Sequence, residues 1–445
     1  MKITQDKDGR KDIDQYYADN PRLLSTDESS YTPKWYRFTP YDLKETINWV
    51  IKMLVLPGAI SILIVVYVTF QMYNNLVLQF TSSVLTVIST FLLWIYLREK
   101  ALEELHKIPR SKLLKEGLTR DFNSTGPAEL TIGFVGDIMM MRGIELDFHS
   151  DVKKFFDDVD LIVCNLEGII PKQKKHLFAK QSHIKKILNQ LRPLLKNNAK
   201  CLVCVSNNHS IDFGNTKFLC SIDTIQEPNE QQILEDYKVF GRDDVLKVFI
   251  DDNFCISTAT NWSNQKQWTC ISRFDDAFLD DICEDKFNIL YPHWGYENER
   301  YTRRGIQKIA KKLLTRNSPQ KWDLIFGHHP HTRQPVMKVE KDGLKKLVAF
   351  SGGNFTSGVN FFRKKKHIHG IIMKCKIGPL GNGKYAVGEV EWWNTFNEID
   401  PNSQEKTKIV KFGEGITGRS RFYIVIFALV MIFLILLPRL MELFQ

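Results

Sequence analysis

Polar residues of the types that bind metal ions follow short apolar runs at six places in this 445-residue chain. The runs are residues 130–135, 161–164, 201–205, 287–291, 324–326 and 347–350. The polar residues that follow them include Asp137, Glu167, Asn208, His293, His329 with His331, and Asn354. Carboxylate, amide oxygen and imidazole together suit zinc, manganese or iron(II), and one carboxylate can bridge two such ions. The pattern therefore predicts a site for divalent metal ions.

The elements that position these residues are expected to be buried strands. Each apolar run is short, and polar or helical stretches separate one run from the next, which is typical of an α/β fold. Open α/β sheets bind their ligands beyond the carboxyl ends of the strands. Glycine stands beside nearly every candidate ligand, where it allows a sharp turn and a close approach of substrate. We therefore expect the six segments to converge at one edge of the fold.

The segments resemble those of the calcineurin-like metallophosphoesterases and, more closely, those of the CapA family of capsule and poly-γ-glutamate synthesis proteins. The matching stretches are Gly136-Asp137, Asn165-Leu166-Glu167-Gly168, Asn207-Asn208-His209 with Asp212-Phe213-Gly214, His293-Trp294-Gly295, Gly327-His328-His329-Pro330-His331 and Gly353-Asn354-Phe355. They occur in the family's order and cover most of residues 128–360. Any one stretch is a weak signal, but the set is specific.

The resemblance implies a sandwich of two mixed β-sheets flanked by helices, with the site at one end. It also implies two divalent metal ions and a role for each ligand. These roles are Asp137 and His331 for the first ion, Asn208, His293 and His329 for the second ion, and Glu167 as the bridge. The chain departs from the classical family pattern at two positions, of which the first, a missing imidazole, weakens the first ion site, and the second, Glu167, is shared with CapA-like proteins. Met139 stands where an Asp-x-His motif would supply a histidine, and Glu167 stands where the classical proteins have aspartate.

Further residues take supporting roles under this resemblance. His209 follows the amide ligand and would protonate the leaving oxygen as general acid. Asp212 either orients a neighbouring residue or caps a helix, and Asn354 either donates to a bound oxyanion or closes a turn. His328 and Asn165 are expected to contact the substrate or the ligands, and Trp294 to wall the site.

Composition limits the possible partners. A formal charge of +10 and a pI near 9.0 favour anionic partners, such as a phosphoester or a polyanionic polymer. No aromatic interleaving or groove-reading motif indicates nucleic acid. All eight cysteines lie between Cys164 and Cys375. Because Cys164, Cys201 and Cys204 lie in apolar runs, they are expected to be buried in strands.

Three apolar stretches predict membrane helices. Residues 53–70 and 76–97 are each near the ~20 residues that span a bilayer, and residues 422–437 form a shorter third stretch. Buried core helices are the alternative. The predicted organisation is a polar tail at 1–48, a transmembrane hairpin at 49–97, a basic linker at 98–127, a CapA-like domain at 128–397, a linker at 398–420 and a carboxyl-terminal helix at 421–441. The apolar stretches predict an integral multi-pass membrane protein. The lysines and arginines after the hairpin predict that its central domain is cytoplasmic, whereas the family resemblance favours a central domain outside the cytoplasm.

Two functions are consistent with the sequence. The first is a membrane-anchored, metal-dependent phosphoesterase that acts in the synthesis of a capsule or of an anionic polymer. The second is a non-catalytic metal-binding component of a membrane complex that synthesises or exports such a polymer. The absence of the Asp-x-His imidazole favours the second function, and the otherwise complete ligand set favours the first.

Overall fold

A computed structural model describes residues 100–141, 144–171, 181–226, 237–262, 271–272, 274, 282–315, 322–358, 365–399 and 407–413. The chain divides into two compact units, one formed by residues 1–34 and 108–415 and the other by residues 35–107 and 416–445. The elements and the candidate site described below all lie in the first unit.

Sixteen strands and four α-helices have bounds within the described residues, and residues 100–105 are also helical. The strands are β1 (Gly117–Thr119), β2 (Leu130–Ile138), β3 (Glu145–Phe148), β4 (Leu161–Leu166), β5 (Lys200–Cys204), β6 (Tyr237–Phe240), β7 (Lys247–Phe249), β8 (Phe254–Ser257), β9 (Phe287–Leu290), β10 (Leu324–Phe326), β11 (Val336–Lys341), β12 (Leu344–Ala349), β13 (Asn354–Thr356), β14 (His369–Pro379), β15 (Tyr385–Ile399) and β16 (Thr407–Phe412). The helices are α1 (Ser150–Phe155), α2 (Lys186–Leu191), α3 (Asn215–Gln226) and α4 (Arg304–Thr315). Short 3₁₀ helices cover Arg110–Lys112, Arg192–Leu194 and Lys365–Ile368.

The strands form two mixed sheets. The first sheet has the order β3-β16-β15-β14-β2-β4-β5-β6, with β1 paired to β15 and β13 paired to β2. The second has the order β11-β12-β10-β9-β8-β7. Strands β2, β4, β5 and β6 run parallel, as do β8, β9, β10 and β12. The carboxyl ends of each parallel set therefore meet at one edge of their sheet.

Alternating side chains explain why the two sheets pack against each other. In β2, Ile132 and Phe134 face the core between the sheets, whereas Val135 faces the opposite side. In β10, Phe326 faces the same core and stacks on Phe134 with ring centroids 5.2 Å apart, while Ile325 faces away. This period of two places apolar residues on both faces of each sheet, so both faces must be covered.

Helices cover the outer faces. Helices α1, α2 and α3 contribute Val152, Leu188 and Ile222 to the cluster outside the first sheet. Helix α4 contributes Ala310 and Leu313 to the cluster outside the second sheet. The predicted mixed α/β class is thus confirmed, and the sheets form the middle layers of the fold.

The strand boundaries refine the sequence expectations. Strand β2 extends to Ile138, so Asp137 lies within the strand and not beyond its end. Strands β1 and β16 lie outside the predicted domain at 128–397, and both pair with β15. Residues assigned to the flanking linkers therefore contribute strands to the first sheet. The cysteines behave as expected, since Cys201 faces the outer cluster and Cys204 faces the core between the sheets.

The predicted multi-pass membrane localisation is corrected by the structure. Within the described residues, no helix has the length and apolar character needed to cross a membrane. The three apolar stretches at 53–70, 76–97 and 422–437, with the hairpin and terminal helix assigned to them, lie outside the described residues.

Candidate metal centre

The predicted site residues lie at the end of the sandwich where the parallel strands of both sheets finish. Isolated bridges join Thr260 to His293 and His293 to His328, which continues the second sheet beyond its named strands. Strand β13 pairs Asn354 with Asp137 of β2 and so joins the segment after β12 to the first sheet. All eleven predicted site residues are buried. They are Asp137, Asn165, Glu167, Asn208, His209, Asp212, His293, His328, His329, His331 and, at the start of β13, Asn354.

Protein groups surround the carboxylate of Asp137. Its Oδ1 accepts a hydrogen bond from Asn165 Nδ2 at 2.8 Å and lies 3.4 Å from His328 Nδ1. Its Oδ2 contacts His331 Nδ1 at 3.0 Å and accepts from the backbone N–H of His329 at 3.3 Å. Because a carboxylate only accepts hydrogen bonds when it is ionised, His331 must carry a proton on Nδ1.

These contacts shift three pKa values. Burial raises the pKa of the Asp137 carboxyl, but its contacts with His328 and His331 outweigh burial and hold the pKa well below its usual value. Burial lowers the pKa of His328 and His331, but the contact with Asp137 outweighs it and raises each pKa to about 9. At neutral pH, Asp137, His328 and His331 therefore form a cluster of charged groups.

A second cluster contains neutral histidines and not charged ones. Glu167, His293 and His329 each offer a ligand atom, and the three atoms lie within 4.8 Å of one another. His293 Nε2 lies 3.7 Å from Glu167 Oε1. Burial holds the pKa of both imidazoles well below its usual value, so both are neutral, which is the form that binds a metal ion.

The same three residues present buried polar atoms without a hydrogen-bond partner among the described residues. These atoms are Glu167 Oε1, His293 Nε2 and His329 Nδ1. Buried polar atoms are nearly always hydrogen-bonded, because leaving one unsatisfied costs about 1–3 kcal/mol. Unsatisfied atoms on three residues whose ligand atoms lie this close together fit the donor set of a divalent cation. The residues present therefore fit a metal ion at this position.

Thr260 fixes the tautomer of His293. The Thr260 hydroxyl donates to the backbone carbonyl of Trp262 at 2.9 Å, and its Oγ1 lies 2.7 Å from His293 Nδ1. A hydroxyl has one proton to donate, so Oγ1 must accept a proton from His293 Nδ1. The lone pair of the neutral ring is then on Nε2, the atom that faces Glu167. Such outer contacts orient the histidine ligands of metal sites.

Backbone strain is present in the segment that carries His329 and His331. Their φ angles are +100° and +55°, a region that few residues other than glycine adopt, although asparagine, aspartate and histidine do so more often than the rest. Strain of this kind costs about 1–3 kcal/mol per residue and collects at functional sites. Here the two histidines are two positions apart, and their ring centroids lie 5.9 Å from each other.

A further acidic group completes a second possible donor set. Glu297, His329 and His331 offer ligand atoms within 4.8 Å of one another, and Glu297 is exposed. Asn208 Nδ2 donates to Glu297 Oε1 at 3.5 Å, which places Asn208 beside this set. The sequence did not indicate Glu297, because it follows no apolar run and lies in a polar segment after the predicted strand.

Asn165 and Asn207 tie the ends of β4 and β5 to the candidate ligands. Asn165 Nδ2 donates both to Asp137 Oδ1 and, at 2.6 Å, to Glu167 Oε2. Asn207 Nδ2 donates to Asn165 Oδ1 at 3.0 Å and to the carbonyl of Leu166 at 2.8 Å. Asn207 stood in the matching motif but received no role from the sequence. Its position shows that it holds Asn165, and through it both carboxylates.

His209 and Asp212 form a pair at the entrance to this network. His209 Nδ1 lies 2.6 Å from Asp212 Oδ2, which also accepts the backbone N–H of Gln181 at 3.0 Å. Burial lowers the pKa of His209, but the Asp212 hydrogen bond and nearby acidic charge outweigh burial and raise it. Asp212 therefore contacts the imidazole, as expected if it orients a neighbouring residue. His183, which had no predicted role, contacts the carbonyl of Glu167 at 2.8 Å.

The aromatic wall differs from the expectation. Trp294 is fully buried and its Nε1 donates to the carbonyl of Phe350 at 2.9 Å, so it is part of the core outside the second sheet. Trp262 instead stacks on His329 with ring centroids 5.6 Å apart and donates from Nε1 to the carbonyl of Gly295. Asn354 Nδ2 donates to the carbonyl of His367 at 2.9 Å.

Comparison with known proteins places these segments in a family. The bacterial capsule synthesis protein family PGA_cap matches residues 131–233 and 252–359, which contain every candidate ligand. The PGA biosynthesis protein CapA of Bacillus subtilis (strain 168) is 21% identical over 283 residues, which are 59% of this chain and 71% of that protein. The capsule biosynthesis protein CapA of Bacillus anthracis is 25% identical over 277 residues, which are 53% of this chain and 62% of that protein. Through its central domain, the chain belongs to the bacterial capsule synthesis protein family PGA_cap.

Proposed function

We propose that this chain is a metal-dependent phosphoesterase that acts in the synthesis of a capsule or of an anionic polymer such as poly-γ-glutamate. One observation carries the enzymatic part of the proposal. Glu167, His293 and His329 offer ligand atoms within 4.8 Å of one another, and each has a buried polar atom with no hydrogen-bond partner among the described residues. The polymer comes from the names of the two relatives, which concern PGA and capsule biosynthesis.

Glu167, His293 and His329 would hold one divalent ion, of manganese, iron or zinc. Such an ion supplies a Lewis acid that polarises a phosphoryl oxygen and lowers the pKa of water. Asn208 lies beside Glu297 and would add an amide oxygen. Thr260 holds His293 in the tautomer with a lone pair on Nε2, and Trp262 keeps the ring of His329 in place by stacking.

His209 is proposed as the general acid. Asp212 accepts a hydrogen bond from Nδ1, so the proton available for transfer is on Nε2. The raised pKa of His209 keeps the imidazole protonated closer to neutral pH, as an acid that protonates a leaving oxygen requires. His209 would therefore supply the proton, and Asp212 would orient the imidazole that carries it.

A second ion at Asp137 and His331 is the less supported part of the proposal. These residues contact each other at 3.0 Å and are both charged, and an imidazolium cannot bind a metal ion until it loses a proton. Met139, in the position of the missing histidine, contacts Thr356 through its backbone N–H. A complete two-ion centre would favour catalysis. The arrangement at Asp137 and His331 instead favours the alternative function, a non-catalytic metal-binding component of a polymer synthesis or export complex.

The discriminating measurement is hydrolysis of a chromogenic phosphodiester by the purified protein with added manganese. We expect His293→Ala to lower kcat/KM by roughly a hundredfold or more, since loss of a group that merely orients a ligand already costs about 10–100-fold. Asp137→Asn keeps the shape of the side chain but removes its charge, and a comparable loss is expected if a second ion binds there.

Metal analysis of the same preparations separates the two functions. Wild-type protein that binds manganese but hydrolyses the ester no faster than His293→Ala and Asp137→Asn would support the non-catalytic component. If the wild-type protein binds no divalent ion under these conditions, both functions are contradicted, because both require metal binding.

A further inference from the structure

A basic groove lies on the outer side of the second sheet, away from the strand ends that carry the candidate ligands. Its volume is about 480 Å³, which is within the usual range of small-ligand sites. Six cationic side chains line it. They are Lys112 from the first 3₁₀ helix, Arg304, Lys308 and Lys311 from α4, Lys338 from β11 and Lys345 from β12.

The groove is built by helix and strand periodicity. Arg304, Lys308 and Lys311 repeat at intervals of four and three residues, so they form one stripe along α4. The other side of α4 contains Ala310 and Leu313, which pack in the core outside the second sheet. The buried face of the helix thus anchors it, and its basic stripe is held in place beside β11.

Charge is not balanced within the groove. Glu340 is the acidic residue of the lining, and it stands opposite Lys345 in the β11–β12 ladder. Lys112, Lys311 and Lys338 form no ion pair with an acidic side chain of the described residues. Like charges held together repel each other, so an anion that entered the groove would relieve this repulsion.

The floor of the groove is aliphatic. Ile108, Met337 and Val339 are buried and line it between the cationic side chains. No aromatic side chain is part of this lining, so the groove lacks the stacking platforms that bind the bases of nucleic acids. Five of its six cationic residues are lysines, whose ammonium groups act as flexible point charges. The groove therefore has few of the arginines that bind phosphate through two hydrogen bonds at once.

We propose that this groove binds a short stretch of a polycarboxylate chain, with the carboxylates at the lysines and the methylene groups on the aliphatic floor. The choice of polymer rests on the proposed function, but the groove itself does not depend on the metal centre. It would hold an anionic polymer on the outer face of the second sheet while a separate site at the strand ends does chemistry.

The test is the binding of fluorescently labelled poly-γ-glutamate to the full-length protein, with a metal chelator present so that the metal centre does not contribute. The groove variant is Lys311→Gln with Lys338→Gln. The matched control is Lys312→Gln with Lys384→Gln, which removes two exposed positive charges, one of them from the same helix, outside the groove.

We expect the groove variant to bind roughly tenfold more weakly, since each partly screened contact contributes up to about 1 kcal/mol, and the control to change less than about twofold. Equal weakening in both variants, unchanged affinity in both, or no binding by wild-type protein would overturn the proposal. So would displacement of the polymer by inorganic phosphate at an equal concentration of negative charge. Loss of binding to phosphatidylglycerol vesicles, with polymer binding intact, would assign the groove to a lipid surface instead.

This outcome is separable from that of the proposed function. His293→Ala leaves the groove intact, so we expect it to bind the polymer as wild-type protein does. Weak polymer binding by His293→Ala in the presence of the chelator would contradict the separation of the two sites. Failure of phosphodiester hydrolysis would not by itself affect the binding result.

Discussion

At the scale of single residues, the site depends on which proton each histidine carries. His293 and His329 are neutral because burial opposes their charge, whereas His328 and His331 are charged because they face Asp137. Four imidazoles of the candidate site thus divide into two neutral groups and two cations. Their sequence context does not separate them, because all four directly follow strands of the second sheet.

Thr260→Val tests the tautomer of His293. Valine matches the shape of threonine but cannot accept the Nδ1 proton, so the ring is free to place its proton on Nε2. We expect metal affinity, measured by titration calorimetry with manganese, to fall about 10–100-fold. Thr260→Ser should restore affinity because it keeps the hydroxyl. Thr258→Val is the control, since Thr258 is also buried but donates to the carbonyl of Tyr291. A similar loss in Thr258→Val would mean that packing alone is responsible.

At the scale of elements, a buried lysine joins the end of α1 to the first sheet. Lys374 of β14 donates to Asp158 Oδ1 at 2.8 Å and to the carbonyl of Phe155 at 3.2 Å, and it is 8% exposed. Desolvation raises the pKa of the Asp158 carboxyl, but the contacts with Lys374 and Lys376 outweigh it and lower the pKa. The helix is therefore attached to the sheet by charge as well as by apolar packing.

The lowered pKa of Asp158 predicts a pH-dependent contribution to stability. A carboxyl group whose pKa is lower in the folded state stabilises that state above its unfolded pKa, and the contribution is lost as the pH falls through the folded pKa. Asp158→Asn should therefore lower the free energy of unfolding by about 1 kcal/mol at neutral pH, with the exposure of the carboxylate limiting the effect. The difference from wild type should shrink as the pH falls below about 4.

Urea denaturation between acidic and neutral pH measures this difference. Asp342→Asn is the matched control, because Asp342 forms a longer, exposed pair with Lys341 at 3.6 Å. We expect it to change stability by less than about 0.5 kcal/mol at any pH. A constant difference between wild type and Asp158→Asn across the pH range would show that lost packing, and not the charge, is responsible.

At the scale of the whole fold, the candidate metal centre joins the two sheets. Glu167 follows β4 of the first sheet, whereas His293 and His329 follow β9 and β10 of the second. A bound ion would therefore add a further connection between strand ends that the contacts of Asp137 with His329 and His331 already join. Ligands that bind only the folded state stabilise it in proportion to the logarithm of their concentration.

Thermal unfolding with and without manganese tests this connection. At a manganese concentration about a hundredfold above the dissociation constant, the expected stabilisation is about 2.7 kcal/mol. The melting temperature should then rise by several degrees, since each kcal/mol shifts a domain of this size by about 2–4 °C. His293→Ala should show no rise. His149→Ala, which removes a histidine at the start of α1, should unfold earlier but retain the shift. A shift that persists in His293→Ala would place the ion elsewhere.

Much of the fold could be predicted because strand ends and periodicity are local signals. The six apolar runs are strands or adjoin them, and the glycines mark real constraints. A methyl group on Gly136 would lie 2.0 Å from the carbonyl oxygen of Gly353, so only glycine allows β2 to pack against that segment. The strands at 117–119 and 407–412 escaped prediction because they are short or polar and owe their conformation to pairing with β15.

The candidate ligands could be predicted for the same reason, but their partners could not. Thr260, Trp262 and Glu297 lie in polar segments with no periodic signal, and only the folded chain brings them beside His293 and His329. Trp294 illustrates the opposite error. It is adjacent to a ligand in sequence, yet the alternation of the extended chain directs it into the core.

The left-handed backbone at His329 and His331 has a consequence for anyone who wishes to make this protein more heat-resistant. Substitution by glycine or asparagine would relax the main chain at these positions, so a search guided by stability alone would select those changes first. It would remove imidazoles from the candidate site in doing so. Heat tolerance of the metal-free protein and capacity to hold an ion are thus opposed at the same two positions, and improvement of one without loss of the other must begin elsewhere in the fold.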